Sequence, residues 1–237
     1  MRDGCGNRGK EIGMFGKVLI ISGGVVDIDF VRKYLENKEF DTVVCADSGL
    51  DSAYQLGIPV HYAMGDFDSA SEDVLFQYQQ EEMQSGVSTE FVSYPPEKDA
   101  TDTHIVLDWV ADRCPEEIVI LGATGKRLDH FLANVNILMK PLSSGIPTYM
   151  IDKNNKLYLV NGSRVFHKEE LFGKYISLLP LTEEVTGVCL RGFKYELEDA
   201  VLTIGNSLGV SNEMGEGSDE ALLEMEAGVL IVVESKD

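Results

Sequence analysis

The chain has 237 residues, room for one large domain or two modest ones, and its 44% hydrophobic and 25% charged residues are ordinary for a globular protein. Its 40 acidic residues against 20 Lys and Arg leave a formal net charge of −20, a surface that repels nucleic acid. No apolar run is long enough to span a bilayer, so neither a nucleic-acid partner nor a membrane is expected. Met1 to Phe15 are polar and Gly-rich without the apolar centre of a secretory signal, so a cytoplasmic location is the expectation, with Met14 an alternative start. Cys5, Cys45, Cys114 and Cys189 are scattered, with no Cys-x-x-Cys pair and no clustering with His; neither a zinc site nor a disulfide framework is expected.

Lys17 to Ile21 reads as a buried strand ending at Ser22-Gly23-Gly24, and Asp29 to Lys38 as a helix with Phe30, Val31, Tyr34 and Leu35 on one face. Thr42 to Ala46 is a second strand, followed by Asp47-Ser48-Gly49 and a short helix that stops at Gly57. Val60 to Met64 is a third strand, then Gly65-Asp66-Phe67-Asp68-Ser69 and a polar helix over Ser71 to Met83. Glu90 to Tyr94 is a fourth strand, and Thr103 to Arg113 is helical with Ile105 and Trp109, then Val106 and Val110, four apart. Glu117 to Leu121 is a fifth strand leading into Gly122-Ala123-Thr124-Gly125, followed by a helix from His130 to Met139 with Phe131, Val135 and Leu138 inward, and a last strand at Thr148 to Ile151.

Continuous apolar strands separated by amphipathic helices predict a parallel sheet covered on both faces, a Rossmann-like α/β domain over residues 16–151. Beyond the turn-rich Asp152-Lys153-Asn154-Asn155 the pattern becomes seven short strand-like runs separated by Gly, Asn, Pro and Asp, which predicts a smaller all-β sandwich or barrel over residues 152–237. Ligands bind outside the carboxyl ends of parallel strands. Asp47, Asp66, Asp68, Asp99, Asp102 and Asp129 all fall just after predicted strands or where the next helix begins, so one sheet edge collects them. Capping explains any one of these, but Ser, Thr or Asn would cap equally well.

Gly65-Asp66-Phe67-Asp68-Ser69 is the most informative stretch. In an extended segment Asp66 and Asp68 point to one side, and two hard oxygen donors there suit Mg²⁺, which keeps several waters and bridges to phosphate. Lys98-Asp99-Ala100-Thr101-Asp102 opens a helix whose amides favour an anion, with Asp99 or Thr101 as the cap. In Gly122-Ala123-Thr124-Gly125-Lys126-Arg127-Leu128-Asp129-His130 the glycines admit close backbone approach and Lys126 and Arg127 add positive charge; the spacing is not that of a Walker A loop, and His130 is a supporting residue.

Together, Ala46-Asp47-x-Gly49, Gly65-Asp66-Phe67-Asp68-Ser69, Lys98-Asp99-x-Thr101-Asp102, the Gly122 to His130 motif and Ser211-Asn212-Glu213 resemble the thiamine pyrophosphokinase family, from about Lys17 to the C-terminus. Ser48 and Lys126 depart from the family pattern, which has Gly at both turns. The resemblance implies a Mg²⁺-dependent enzyme that moves the terminal diphosphate of ATP onto the thiamine hydroxyl, releasing AMP, and a homodimer with thiamine held at the subunit interface. It implies a catalytic set of Asp66, Asp68, Asp99 and Asp102, with Asp66, Asp68 and Asp99 on the metal. Asp47, Ser69, Lys98, Thr101, Arg127 and Asp129 fall to the ATP side; Tyr195, Ser211 and Asn212 fall to thiamine, Tyr195 by stacking on the cationic ring. Asp68 or Asp99 is the expected proton acceptor. Two other readings stay open on the residues alone: a glycosyltransferase using Asp66-x-Asp68 to hold a metal-bound nucleotide sugar, and a non-catalytic sensor of thiamine or its diphosphate.

Overall fold

The computed structural model describes residues 15–80, 86–93, 99–125 and 127–237, which divide into two compact units between Lys153 and Asn154. The first unit holds β1 (Lys17–Ile21), β2 (Thr42–Ala46), β3 (Tyr62–Gly65), β4 (Glu90–Ser93), β5 (Glu117–Leu121) and β6 (Thr148–Ile151). All pair in parallel, in the order β6-β5-β1-β2-β3-β4. Every residue of β2, and all but the first of β1, is buried, which is why Val18 to Ile21 and Val43 to Ala46 read as unbroken apolar runs. The connecting helices are α1 (Ile28–Leu35), α2 (Gly49–Leu56), α3 (Glu72–Gln80), α4 (Asp102–Ala111), α5 (Leu128–Ile137) and α6 (Met139–Ser143). Asp27 caps α1 by accepting from the Phe30 N–H at 2.9 Å, and Gly57 ends α2 in a left-handed conformation (φ 69°).

The helix expected over residues 130–139 differs in both bounds. It starts at Leu128 and gives way at Leu138 to α6, because Pro141 has no N–H to bond the Ile137 carbonyl and fits instead in the first turn of a new helix. Among the described residues, no helix is long and apolar enough to cross a membrane. Cys45 is a buried free thiol and Cys189 is free.

His61, just before β3, accepts the Val43 N–H on Nδ1 at 3.0 Å, so an imidazole nitrogen takes the place of a backbone carbonyl at the start of β2. Burial holds its pKa below the usual 6.5, as a neutral acceptor requires. The stability this contributes is complete above pH 6.5 and is lost as the pH falls through the depressed value. Urea midpoints measured at pH 7.5 and 5.5 should therefore fall more on acidification in the wild type than in His61→Asn, which cannot titrate; equal falls contradict the assignment.

The second unit holds β7 (Asn155–Val160), β8 (Arg164–His167), β9 (Tyr175–Pro180), β10 (Glu184–Arg191), β11 (Leu197–Thr203), β12 (Asn212–Glu213), β13 (Glu220–Glu224) and β14 (Leu230–Ser235). They form two antiparallel sheets, β12-β9-β14-β7 and β11-β10-β13-β8, with one short 3-10 turn at Lys168–Glu170. Alternation along β14 is strict, its Leu230, Val232 and Glu234 being buried. Glu234 is tolerated inside because Tyr158 donates to Oε1 at 2.8 Å, the Phe172 N–H donates to Oε2 at 2.8 Å and the Lys156 ammonium stands 3.5 Å away. β12 is an eighth strand beyond the seven runs expected, and its two residues are too few to show a period.

Candidate active site

Strand order reverses at β1, with β2 to β4 laid down on one side and β5 and β6 on the other. The loops after β1 and β5 therefore meet, and a cleft of about 600 Å³ opens there, lined among others by Gly23, Gly24, Asp47, Ser69, Asp102 and Gly122. Gly122 has φ 70°, and a Cβ on it would stand 2.5 Å from the Ser22 carbonyl oxygen, so the two strand ends touch through bare backbone. Beneath the contact the Ser22 and Thr103 hydroxyls bond at 2.5 Å, tying the end of β1 to the start of α4.

Three carboxylates, those of Asp47, Asp66 and Asp68, offer oxygens that all lie within 4.8 Å of one another. Pairing of β2 with β3 sets Ala46 beside Met64, and the Asp47 N–H donates to the Met64 carbonyl at 2.9 Å, which delivers Asp47 next to Asp66. The extended-chain argument for Asp66 and Asp68 does not hold. Phe67 is left-handed (φ 59°), and this turn, rather than strand alternation, places both carboxylates in the group. Ser48, where the family pattern has Gly, is right-handed (φ −63°); the left-handed residue is Asp47 itself (φ 48°). A polar non-Gly residue in that conformation is a local strain that sits at the centre of the cluster. Oδ1 of Asp47 is sealed from solvent with no hydrogen-bond partner. Burial, and then the charges of Asp102 and Asp66, raise its pKa against the lowering effect of the Ser48 N–H.

The Ser69 hydroxyl donates to Asp68 Oδ1 at 2.8 Å. Asp102 lies in the first turn of α4 and lines the cleft; Thr101 is the cap, accepting the His104 N–H at 3.3 Å. Asp99 is exposed, and among the described residues the carboxylate that joins Asp66 and Asp68 is Asp47 in its place. Arg127 and Asp129 form a fork, with Nε to Oδ1 at 3.1 Å and NH2 to Oδ2 at 2.6 Å. With the His130 N–H it holds Asp129 at a pKa of about 2. Asp129 is thus the second residue of α5 rather than its cap, a position filled by Arg127. Lys98 and Lys126 lie outside the described residues.

In the β unit Tyr195 is exposed and Asn212 is buried. Asn212 Oδ1 accepts from the Tyr195 and Glu213 N–H groups at 3.0 and 2.9 Å, and Nδ2 donates to the Tyr195 carbonyl at 2.8 Å. Its amide therefore clamps the backbone that presents the Tyr195 ring. Ser211 is left-handed (φ 57°) and its N–H donates to the Ser177 hydroxyl at 2.9 Å. Asn212→Ala is expected to lower stability by about 1–3 kcal/mol, the cost of losing the hydrogen bonds between its buried amide and part-buried backbone. A urea midpoint within error of wild type would contradict the clamp.

Residues 31–150 match the family described as the thiamin pyrophosphokinase catalytic domain, and residues 163–230 match the thiamin pyrophosphokinase vitamin B1 binding domain. Thiamine pyrophosphokinase of Bacillus subtilis is 33% identical over 196 residues, covering 83% of this chain and 84% of that protein. The chain belongs to the thiamine pyrophosphokinase family. A crystal structure of the thiamine pyrophosphokinase from Bacillus subtilis superposes with a TM-score of 0.81 at 30% identity, covering 93% of this chain and 99% of that one. A second, from Geobacillus thermodenitrificans, does so with a TM-score of 0.78 at 29% identity, over 93% and 98%. Family membership sets aside the glycosyltransferase and sensor readings.

Within the family's catalytic region the cleft also takes Ser52, Gln55 and Asn134, which the motifs did not single out. Ser52 and Gln55 are three apart on α2, and Asn134 is a buried amide in the otherwise apolar inward row of α5, a signal visible in sequence as one polar residue out of pattern.

Proposed function

We propose that this chain transfers the terminal diphosphate of ATP to the hydroxyl of thiamine with the help of Mg²⁺, giving thiamine diphosphate and AMP. The reading rests on the convergence of Asp66 and Asp68 on Asp47, which lines the cleft, with one buried Asp47 oxygen left without a partner. Three crowded carboxylates are costly unless a cation joins them, and hard oxygen donors match Mg²⁺. Asp47, Asp66 and Asp68 would hold it, so Asp47 moves from the ATP set to the metal set and Asp99 leaves the latter. Bound there, Mg²⁺ supplies positive charge that offsets the charge developing on the phosphate oxygens.

The protein's own part is positioning and neutralisation. The amides at the start of α4, beside Thr101, Asp102 and Thr103, favour the polyphosphate, and the Gly122 to Gly125 loop lets backbone approach it. Arg127, already in a fork with Asp129, adds a cation at the rim. In the transfer, the thiamine oxygen bonds to the β-phosphorus and the bond from that phosphorus to the oxygen bridging to the α-phosphate breaks, so AMP leaves. Asp68, the exposed member of the cluster, takes the hydroxyl proton, and Ser69 holds its carboxylate in place. Tyr195 offers its face to the cationic thiazolium, Ser211 supplies a further thiamine contact, and the working state is a homodimer. Chelation with EDTA should abolish turnover and added Mg²⁺ restore it, while Asp68→Asn should remove the acidic limb of the pH–rate profile along with most of the rate. Full turnover in EDTA sinks the metal role; unchanged turnover in Asp68→Asn sinks the base.

A further inference from the structure

Asn134 is 6% exposed, on the inward face of α5, and lines the cleft. Its Nδ2 donates to the Ala123 carbonyl at 2.9 Å. That carbonyl can only accept, so the amide nitrogen must face it and Oδ1 is turned the other way. Among the described residues Oδ1 has no protein partner, and it is not one of the buried side-chain atoms sealed from solvent without one, so it opens on the cleft. An amide oxygen open on a binding cleft bonds water until a ligand donor displaces it, and a ligand group that cannot replace that bond loses affinity.

The acceptor character of Oδ1 decides what that ligand group is. Ionised phosphates carry acceptors alone, so Asn134 does not meet the polyphosphate. Thiamine has an amino donor, but the vitamin B1 binding match lies at residues 163–230, whereas α5 lies within the catalytic match at 31–150. The remaining donors belong to the nucleoside half of ATP. Val25, Val26 and Ile28, which line the same cleft, supply apolar surface of the kind a nucleoside packs on. We propose that Asn134 is a nucleoside-selecting residue, its Oδ1 accepting a hydrogen bond from the adenine amino group or a ribose hydroxyl, while its Nδ2 holds the Gly122 to Gly125 loop in place. The proposal rests on the ATP reading given above.

The test compares KM for ATP, 2′-deoxyATP, 3′-deoxyATP and purine riboside triphosphate, which lacks the amino group, in the wild type, Asn134→Ala and Asn134→Leu. Binding calorimetry with the same four nucleotides reads the same ratios independently of turnover. In the wild type the analogue missing the matching donor should have KM about tenfold above that of ATP, because Oδ1 is then left unpaired. The identity of that analogue distinguishes base from ribose. In both variants the ratio should fall to about one, through a rise in KM for ATP. Equal KM for all four nucleotides in the wild type overturns the proposal without recourse to a variant. A preserved ratio in folded variants, with kcat reduced alike for every nucleotide, overturns it too, since that is loop support alone. A change confined to KM for thiamine assigns Oδ1 to the vitamin and overturns it as well. Absence of thiamine-dependent turnover with ATP in the wild type is instead a failure of the underlying reading, and the calorimetric ratios still decide the role of Asn134.

Discussion

Asp47→Asn is expected to lower turnover by about 10²–10³-fold, the scale of losing one preorganised electrostatic contact to the transferring group, and yet to make the metal-free protein more stable. Both effects follow from one arrangement. Asp47 is half-buried, has an unpartnered Oδ1 sealed from solvent, and shares a 4.8 Å neighbourhood with Asp66 and Asp68. Burial and the neighbouring carboxylates raise its pKa above the ordinary 3.8. The stability it contributes is therefore fully present below pH 3.8 and lost as the pH rises through the raised value, so at neutral pH the ionised group is a deficit. Asn is neutral throughout and removes that deficit. The melting temperature without metal should rise by about 2–6 °C, the shift expected of a modest gain in a domain of this size. Saturating Mg²⁺ should raise the melting temperature of the wild type by mass action and leave Asp47→Asn nearly unmoved. A variant that keeps Mg²⁺-dependent turnover, or that melts below wild type in EDTA, contradicts the placement of Asp47.

Gly122→Ala is expected to cost about 2–5 kcal/mol, from about 1–2 kcal/mol for a left-handed non-Gly residue and about 1–3 kcal/mol for forcing a methyl into packed backbone. The added Cβ would stand 2.5 Å from the Ser22 carbonyl oxygen and 3.1 Å from a Val26 methyl, and neither backbone can retreat without separating β1 from β5 at the cleft. Gly145 is the control, because it has nearly the same conformation (φ 72°) and nothing within 4 Å of a Cβ. Gly145→Ala should therefore cost the backbone part alone, about 1–2 kcal/mol. Urea midpoints of the two variants measure the difference. Equal destabilisation would mean that the contact between the two strand ends can relax.

The parallel order of the first unit was readable because its strands are buried on both faces and so lack polar interruptions, as in Val18 to Ile21 and Ile118 to Leu121. The acidic edge was readable for the same reason, since parallel strands send every following loop one way. What local pattern could not supply was which carboxylates meet. Asp66 and Asp68 were paired by strand alternation, but the left-handed Phe67 does that work. Asp47 joins them through the β2–β3 register, and the bare Gly65, where a Cβ would stand 3.1 Å from the Asp47 Cα, permits the approach. Both are properties of two strands together. Asn212 stands out by its motif, and both ends of its amide bond backbone of the protein, so its proposed effect on thiamine runs through Tyr195. Asn134 is legible as a polar residue in the inward row of α5, but that this row borders the cleft is not. In the second unit alternation was enough for the long strands, as in β14, and failed for the two-residue β12.

The fate of the nucleotide when the purified protein is given ATP, Mg²⁺ and thiamine tests the diphosphate transfer directly. AMP and thiamine diphosphate should form in equal amounts, with neither formed when thiamine is withheld. ADP with thiamine monophosphate, or nucleotide turnover indifferent to thiamine, would contradict it.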